Sequence, residues 1–252
     1  MGGSGEIDGN AIGDRPIADD GSCMDDVWWT IPCEAGRPDE NMARDEALLE
    51  HAERLGRPIL RFYAWSVPAA TFGCFQRYLE IASSTPLRPL IRRPTAGGFV
   101  PHDDDWTYSV VIPPQHPWHA LRATESYCQV HRWIRDALVR IEVPADLAPA
   151  RDLQAAGRCF AGGWEQHDLV RNGRKIAGAA QRRNRLGLLI QGSVQPVPRG
   201  VARADWERAM LAVGAETFLA RFDPLIPDAV FNSRVDQLVA EKYALPSHNE
   251  SR

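Results

Sequence analysis

Two lysines stand out among the residues of this chain that could do chemistry. The 252 residues include 29 basic ones, of which only Lys175 and Lys242 are lysines and the rest are arginines. A chain that uses arginine wherever a positive charge suffices keeps lysine for tasks that a guanidinium cannot perform. An ammonium is a compact point charge whose pKa can fall on burial, whereas a guanidinium stays charged. Lys175 is therefore a candidate catalytic residue, although a residual surface lysine in a hairpin would give the same local sequence.

Five cysteines are the other candidates for covalent chemistry. Their number is odd, their spacing is wide and no pair has C-x-x-C spacing, so neither a zinc site nor a disulfide framework is predicted. Most are expected to pack as small buried apolar groups. One could be a nucleophile, because a thiolate next to a cation is reactive near neutral pH. Composition alone does not say which.

A glycine turn preceded by arginines forms a second candidate site. Gly97 and Gly98 allow a close approach of backbone N–H groups to a ligand, and they allow positive φ. Arg92 and Arg93 could bind an anion such as a carboxylate or a phosphate. His102 follows and could act as an acid or a base. Glycine turns between strands and structural histidines are both common, so this segment alone does not decide a function.

Small residues follow Lys175 along its own strand. Gly178 and two alanines, Ala179 and Ala180, offer little side-chain bulk. The strand therefore leaves a slot in which a slim apolar chain could lie with its polar end at the ammonium. Close packing of the strand on a helix would also explain the small residues.

Periodicity and turn residues predict the elements that would hold these segments in place. Asn172-Gly173 is a strong hairpin signal, Gly56 is a helix stop and Ser233 is a candidate N-cap. Strands are predicted near 28–32, 59–65, 70–75, 90–94, 106–112, 168–171, 174–177 and 186–194, and helices near 39–55, 119–141, 203–220 and 233–243. This order predicts an α+β domain with a largely antiparallel sheet. Residues 1–25 lack periodicity and are predicted to be a disordered tail, with a single domain over 26–245.

Bulk composition excludes several classes of protein. The net charge of -4 argues against a dedicated nucleic-acid binder. No apolar run approaches the roughly 18 residues that a membrane span requires. The polar, acidic start does not resemble a signal peptide. We therefore expect a cytoplasmic protein that has no nucleic-acid or membrane partner.

Taken together, the motifs resemble one family, the lipoate–protein ligase A and octanoyltransferase group, over about residues 27 to 240. The resemblance implies the biotin/lipoate ligase (class II synthetase-like) catalytic domain, whose mostly antiparallel sheet is flanked by helices. The motifs that carry it, in order, are Asn41-Met42-Ala43-x-Asp45-Glu46, Arg61-Phe62-Tyr63-x-Trp65, Gly73-x-x-Gln76, Arg92-Arg93-Pro94-Thr95-x-Gly97-Gly98-x-Val100-x-His102, Thr107-Tyr108-Ser109, Gly173-Arg174-Lys175-Ile176-Ala177-Gly178-x-Ala180-Gln181-Arg182-Arg183 and Gln191-Gly192-Ser193.

The resemblance also implies roles for individual residues. The loop from Arg93 to His102 and the strand of Lys175 would embrace a medium-chain acyl or lipoyl group, and the acceptor would be a lysine on a lipoyl domain. The implied substrate-binding residues are Arg92, Arg93, Thr95, Gly97, Gly98, His102, Gly178, Ala179 and Gln181.

Two residues depart from the family's pattern. The family usually reads Thr-Gly-Gly-Gly, and Ala96 replaces the first of these glycines. If that position needs positive φ, an alanine there costs about 1 kcal/mol or more. Pro101 before His102 is the second departure. Either could mark an altered substrate or a non-catalytic paralogue.

Three functions fit the resemblance. The first is an acyltransferase that moves an octanoyl or lipoyl group from acyl carrier protein through a thioester on Cys159 to a lysine of a lipoyl domain, with Lys175 stabilising the thiolate and later accepting a proton from the incoming lysine. Arg158-Cys159-Phe160 is similar to the Cys-Phe pair of the octanoyltransferase branch, and the chain ends soon after its last predicted helix, without room for an accessory domain. This function needs no cofactor or metal, and a monomer is expected.

The second function is an ATP-dependent lipoate–protein ligase, which would use ATP and Mg with the same loop and Lys175. The third is a non-catalytic acyl-binding paralogue, to which Ala96 and Pro101 would point.

Overall fold

An eight-stranded sheet and a three-stranded sheet organise the computed structural model, which describes residues 26–152, 160 and 163–251. The predicted tail at 1–25 and Cys159 lie outside the described residues. The elements in chain order are β1 (Asp26–Gly36), α1 (Pro38–Glu50), α2 (Ala52–Leu55), β2 (Ile59–Trp65), β3 (Ala69–Phe72), α3 (Tyr78–Ser84), β4 (Leu90–Arg92), β5 (Val100–His102), β6 (Trp106–Ile112), α4 (Pro117–Ala120), α5 (Ala123–Arg140), β7 (Asp146–Leu147), β8 (Leu169–Arg171), β9 (Arg174–Asn184), β10 (Gly187–Val194), α6 (Arg203–Phe218), β11 (Ala220–Pro224), α7 (Ala229–Leu238), a π-helical turn (Val239–Tyr243) and α8 (Pro246–Asn249).

The large sheet is mostly antiparallel, as predicted. Its strand order is β11-β1-β2-β6-β10-β9-β8-β7, and only the pairs β11–β1 and β1–β2 are parallel. The small sheet has the order β4-β3-β5, with β4 parallel and β5 antiparallel to β3. The α+β fold class is confirmed.

Helices cover both faces of the large sheet. One face packs on α5 and α6 around Trp28, Trp133 and Trp206, all of them buried. The other face packs on α1 and α7. Because the central strand β6 is buried on both faces, its residues from Trp106 to Ile112 are all buried. Its neighbour β10 is likewise buried throughout, so the site strands have rigid support.

Turn chemistry at two predicted positions matches the structure. Gly56 ends α2 in the left-handed conformation with a φ of 69°. Asn172 and Gly173 have φ values of 50° and 69°, as a two-residue hairpin turn with two left-handed positions requires. The hairpin prediction before Lys175 is therefore confirmed.

The prediction of Ser233 as an N-cap is wrong. The backbone leaves its extended conformation at Asp228, whose side chain accepts a hydrogen bond from the Phe231 N–H at 2.7 Å. The helix consequently starts with Ala229, and Ser233 lies inside α7. No helix in the described parts of the chain has both the length and the apolar character of a membrane span.

Candidate active site

A small cavity lies between the small sheet and the strands β9 and β10. Its volume is about 40 Å³, which is space for a few water molecules and far below the roughly 300 Å³ at which ligand pockets begin. An acyl chain could enter only if the walls move apart. The lining residues are Thr71, Arg93, Gly97, Gly98, Val100, His102, Thr107, Gly178, Ala179, Ala180, Gln191, Gly192 and Ser193.

The Arg93 guanidinium holds the glycine loop together. Its Nη2 donates to the carbonyl oxygens of Ala96 at 2.5 Å and Gly98 at 2.8 Å, and its Nε donates to Thr95 Oγ1 at 3.1 Å. Gly97 between them has a φ of 87°. The side chain of a buried arginine thus closes the loop that forms one wall of the cavity.

A buried polar chain ties this loop to α1. Thr95 Oγ1 donates to Gln191 Oε1 at 2.8 Å, and Gln191 Nε2 donates to Asp45 Oδ2 at 2.7 Å. Asp45 in turn pairs with Arg61 at 2.6 Å, and both side chains are almost fully buried. Removing one member of such a pair leaves an uncompensated buried charge, so the loop position depends on a network that spans the sheet.

His102 is held at both ring nitrogens. Its Nε2 lies 2.9 Å from Thr71 Oγ1 and its Nδ1 lies 2.8 Å from Asp105 Oδ2, while Trp65 stacks on the ring with a centroid separation of 4.0 Å. Burial would raise the pKa of Asp105, but the His102 charge and hydrogen bonds from His102, Ser193 and Thr107 hold that pKa below its usual value. The ring is therefore fixed at the cavity wall.

Lys175 lies at the edge of the cavity in an ion pair. Its Nζ is 2.6 Å from Asp168 Oδ2, with the side chains 6% and 0% exposed. The ammonium lies over Gly178, where a Cβ would come within 2.5 Å of Nζ. Gly178 is therefore required by Lys175 itself, because any side chain at 178 would displace the ammonium.

A bulge in β9 brings Lys175 to this face. Leu169 pairs with Ala177 whereas Val170 pairs with Lys175, so Ile176 is one extra residue in β9. A bulge reverses the alternation of side chains along a strand. Residues 175 and 178, three apart, consequently share one face of the sheet.

Asp168 gathers donors from several segments. It accepts hydrogen bonds from the Glu165 N–H at 2.7 Å and, through Oδ1, from the Tyr127 hydroxyl of α5. The Tyr127 oxygen itself accepts from the Ala179 N–H at 3.2 Å. The sequence analysis did not predict Asp168 or Tyr127 as site residues. Asp168 could have been proposed, because it directly precedes the first strand of the hairpin that carries Lys175.

Phe160 is the described residue next to Cys159 in the chain. Its ring centroid lies 5.2 Å from Lys175 Nζ, within the range of a cation–π contact. The position of Cys159 itself lies outside the described residues. Of the other cysteines, Cys33, Cys74 and Cys128 are partly buried free thiols.

Three predicted substrate-binding residues do not line the cavity. Arg92 instead donates to carbonyl oxygens of Gln76 at 2.7 Å and Asn249 at 3.1 Å, because adjacent residues of an extended segment point to opposite sides and Arg93 takes the cavity side. Thr95 is fully buried behind the loop. Gln181 reaches α5, where its Nε2 donates to the Ala123 carbonyl at 2.7 Å.

Both departures from the family pattern fit without distortion. The residue of the loop with positive φ is Gly97, and Ala96 has no positive φ. Pro101 pairs with Ala70, whose N–H points away to the Pro89 carbonyl at 3.1 Å. This register leaves the nitrogen of Pro101 facing away from β3, where a ladder hydrogen bond is not needed. Neither residue therefore indicates a damaged site.

A family model described as the lipoyl protein ligase A/B catalytic domain matches residues 37–195. The chain belongs to this family. In the part of this family member that the structure describes, no group of three or more His, Cys, Asp or Glu side chains could hold a metal ion.

Relatives of this lipoyl protein ligase A/B domain carry a transferase name. The octanoyltransferase LipM of Moorella thermoacetica is 36% identical over 180 residues, and that of Geobacillus kaustophilus is 36% identical over 184 residues. Each alignment covers 67% of this chain and 65% of the relative. The chain thus spans slightly less than two thirds of the length of these relatives.

Solved structures show the same fold. The structure of lipoate-protein ligase A bound with ATP superposes with a TM-score of 0.72 at 21% identity, covering 90% of this chain and 99% of the other. A bi-partite lipoate protein ligase from Thermoplasma acidophilum gives a TM-score of 0.65 at 19% identity, covering 90% and 96%. These identities are low, so the likeness concerns the fold.

Proposed function

We propose that this member of the lipoyl protein ligase A/B family is an acyltransferase, which moves an octanoyl or lipoyl group from acyl carrier protein through a Cys159 thioester to a lysine of a lipoyl domain. The observation that carries the proposal is the contact between Phe160 and Lys175 Nζ at 5.2 Å. Cys159 directly precedes Phe160 in the sequence, and we propose that its thiol acts beside this ammonium.

The names of relatives support a transferase. Octanoyltransferases LipM align at 33% to 37% identity, and the resemblance of Arg158-Cys159-Phe160 to the Cys-Phe pair of that branch is the reason for proposing Cys159 as the nucleophile. The archaeal ligase of similar fold was described together with its E2 lipoyl domain. A lipoyl domain is accordingly the acceptor that we propose for this chain.

Two steps make up the proposed reaction. The Cys159 thiolate attacks the carbonyl carbon of the donor thioester, the new C–S bond forms, the donor's own C–S bond breaks, and the carrier sulfur leaves as a thiolate that takes up the proton released when Cys159 ionised. The neutral amine of the acceptor lysine then attacks the enzyme thioester, the C–N bond forms and the C–S bond breaks. The Lys175 ammonium favours the thiolate in both steps, because a nearby cation stabilises a cysteine anion.

The acyl chain would occupy the cavity beyond Lys175. Gly97, Gly98, Gly178 and Ala179 line that space and contribute little side-chain bulk to it. Since the cavity holds only about 40 Å³, the glycine loop and β9 must separate when the chain enters. Thioester formation and opening of the cavity are therefore coupled in the proposed mechanism.

Mass spectrometry tests the thioester directly. We expect a hydroxylamine-sensitive octanoyl adduct on Cys159 after incubation with octanoyl-acyl carrier protein, and neither adduct nor transfer in Cys159→Ala. Cys128→Ala is the matched control, since Cys128 is a partly buried thiol on α5, and should retain both. Full transfer by Cys159→Ala would refute the proposal. ATP-dependent attachment of free lipoate by that variant would instead support the ligase hypothesis.

A further inference from the structure

We infer that Asp168 and Tyr127 are positioning residues that hold Lys175 as a fixed cation, so that Lys175 acts by its charge and does not take the proton from the acceptor amine. This inference rests on the proposed function for its place in the reaction. It rests on the geometry of the ion pair for everything else.

The ion pair between Lys175 and Asp168 is buried, and further hydrogen bonds hold the Asp168 carboxylate. Asp168 has no exposed side-chain surface, and its two oxygens accept from Lys175 Nζ, the Glu165 N–H and the Tyr127 hydroxyl. A carboxylate at 2.6 Å stabilises the ammonium against the neutral amine. Loss of the Lys175 proton would leave Asp168 as an uncompensated buried charge, which is strongly unfavourable.

Tyr127 joins this pair to the strand that lines the cavity. Its hydroxyl bridges Asp168 and the Ala179 N–H. The His131 ring lies against the Tyr127 ring with a centroid separation of 4.1 Å, and His131 Nδ1 is 2.9 Å from the Tyr127 carbonyl oxygen. These contacts within α5 hold the Tyr127 ring in place. Through its hydrogen bond to Asp168, Tyr127 helps to keep the Lys175 ammonium over Gly178.

Titratable groups around the ammonium come from several elements. They include Asp168 before β8, Tyr127 and His131 on α5, and His167, whose charge interacts with His131. Burial lowers the pKa of His131 to about 4, so this ring is neutral at neutral pH and adds no charge that would compete with Asp168. Among the described residues, Asp168 is the carboxylate in contact with the Lys175 ammonium.

The proton balance then needs no lysine base. When the acceptor amine attacks the Cys159 thioester, the C–N bond forms, the C–S bond breaks and the sulfur leaves as a thiolate. The proton released by the amine restores the thiol or passes to solvent. Lys175 keeps its own proton throughout and stabilises the thiolate electrostatically.

The scarcity of lysine permits a direct test. In the full chain labelled with ¹³C at lysine Cε, only Lys175 and Lys242 give signals. We expect wild-type Lys175 to titrate at or above the usual value of about 10.4. A midpoint near 7 to 8, as a lysine base requires, would overturn the inference without any variant.

Two variants assign the cause. Asp168→Asn should lower the Lys175 midpoint by about 1 pH unit or more and leave Lys242 unchanged. Glu46→Gln is the matched control, because Lys242 Nζ is 2.6 Å from Glu46 Oε2, and it should leave the Lys175 midpoint unchanged. An unshifted Lys175 in Asp168→Asn contradicts the inference.

Kinetics separate positioning from folding. Asp168→Asn and Tyr127→Phe should lower kcat for transfer at least tenfold and threefold, respectively, with the KM for acyl carrier protein unchanged, and Asp168→Glu should recover part of the loss. Equal activity of Asp168→Asn and wild type would refute the positioning role. If no thioester ever forms on Cys159, the proposed function fails, yet the two-lysine titration still decides the state of Lys175.

Discussion

Gly73 and Gly97 are in direct backbone contact across the wall of the cavity. A Cβ placed on Gly73 would lie 2.1 Å from the Gly97 carbonyl oxygen and 2.9 Å from the Ala96 carbonyl carbon. The Cys74 N–H also donates to the Thr95 carbonyl at 3.0 Å. The turn that follows β3 thus contributes backbone contacts that position the glycine loop, in addition to the side-chain contacts of Arg93 and Thr95.

Gly73→Ala should displace this loop. Its methyl group would overlap backbone atoms that cannot rotate away, and we expect a loss of about 3 kcal/mol in the free energy of unfolding. Transfer activity should fall at least tenfold in the folded fraction. Urea denaturation and an activity assay below the transition measure both, and wild-type values in both would show that the contact is not obligatory.

Ala96→Gly and Gly97→Ala should differ sharply. Ala96 has no positive φ, so glycine there only makes the unfolded chain more flexible and should cost about 0.5 to 1 kcal/mol with activity retained. Gly97 has a φ of 87°, and its Cβ would lie 2.8 Å from Arg93 Nη2. Gly97→Ala should therefore cost more than 1 kcal/mol and impair activity. Equal effects of the two substitutions would contradict this assignment.

Arg92→Leu should reduce stability more than it changes catalysis. The Arg92 guanidinium joins β4 to the α8 region and to the turn after β3. Its removal would leave the carbonyl oxygens of Gln76 and Asn249 without this hydrogen-bond donor. We expect a loss of about 3 kcal/mol, measured by thermal and urea denaturation, with kcat per folded molecule close to wild type.

Arg88→Leu is the matched control for this change. Arg88 also donates to carbonyl oxygens, those of Thr85 at 3.1 Å and Leu87 at 2.7 Å, but it is exposed. Its replacement should alter stability by less than about 0.5 kcal/mol. A comparable loss in both variants would mean that burial of Arg92 is not what makes its contacts strong.

Acid should weaken the fold through His131. Burial lowers the pKa of this histidine from 6.5 to about 4, so the unfolded chain binds a proton in that range that the folded chain does not. Stability from the neutral ring is complete above about pH 6.5 and is lost as the pH falls towards 4, by roughly 3 kcal/mol in total.

Replacement of the ring isolates this effect. His131→Phe keeps a ring against Tyr127 and should flatten the stability profile between pH 6.5 and 4 in urea titrations. His119→Gln is the control, because His119 is only partly buried, and should leave the profile as in wild type. An identical slope in His131→Phe would assign the acid sensitivity to other groups.

Sequence alone predicted the elements of the site well where local chemistry fixes them. The hairpin at Asn172-Gly173 and the helix stop at Gly56 follow from φ values that few residues adopt. Ser233 failed as a cap because Asp228 and Ser233 are both good N-caps, and tertiary packing decides where the helix starts.

Side-chain direction was harder to predict than element type. Arg92 and Arg93 are equivalent in composition, and only the strand β4 assigns one to the α8 region and the other to the cavity. The bulge at Ile176 reverses the face of Lys175 and leaves no mark in the sequence. The partners Asp168 and Tyr127 lie far apart in sequence, so their meeting at Lys175 depends on how α5 packs beside β9.

The two lysine–carboxylate pairs have a consequence for the proposed transfer, in which the acceptor is itself a lysine. A protein that carries a reactive acyl group can modify its own amines, and only neutral amines attack. Each of the two lysine ammonium groups forms an ion pair with a carboxylate, Lys175 with Asp168 and Lys242 with Glu46. The other basic side chains of the sequence are arginines, whose guanidinium groups are poor nucleophiles. In the proposed reaction these ion pairs would disfavour acylation of the protein's own lysines relative to the lysine of the acceptor.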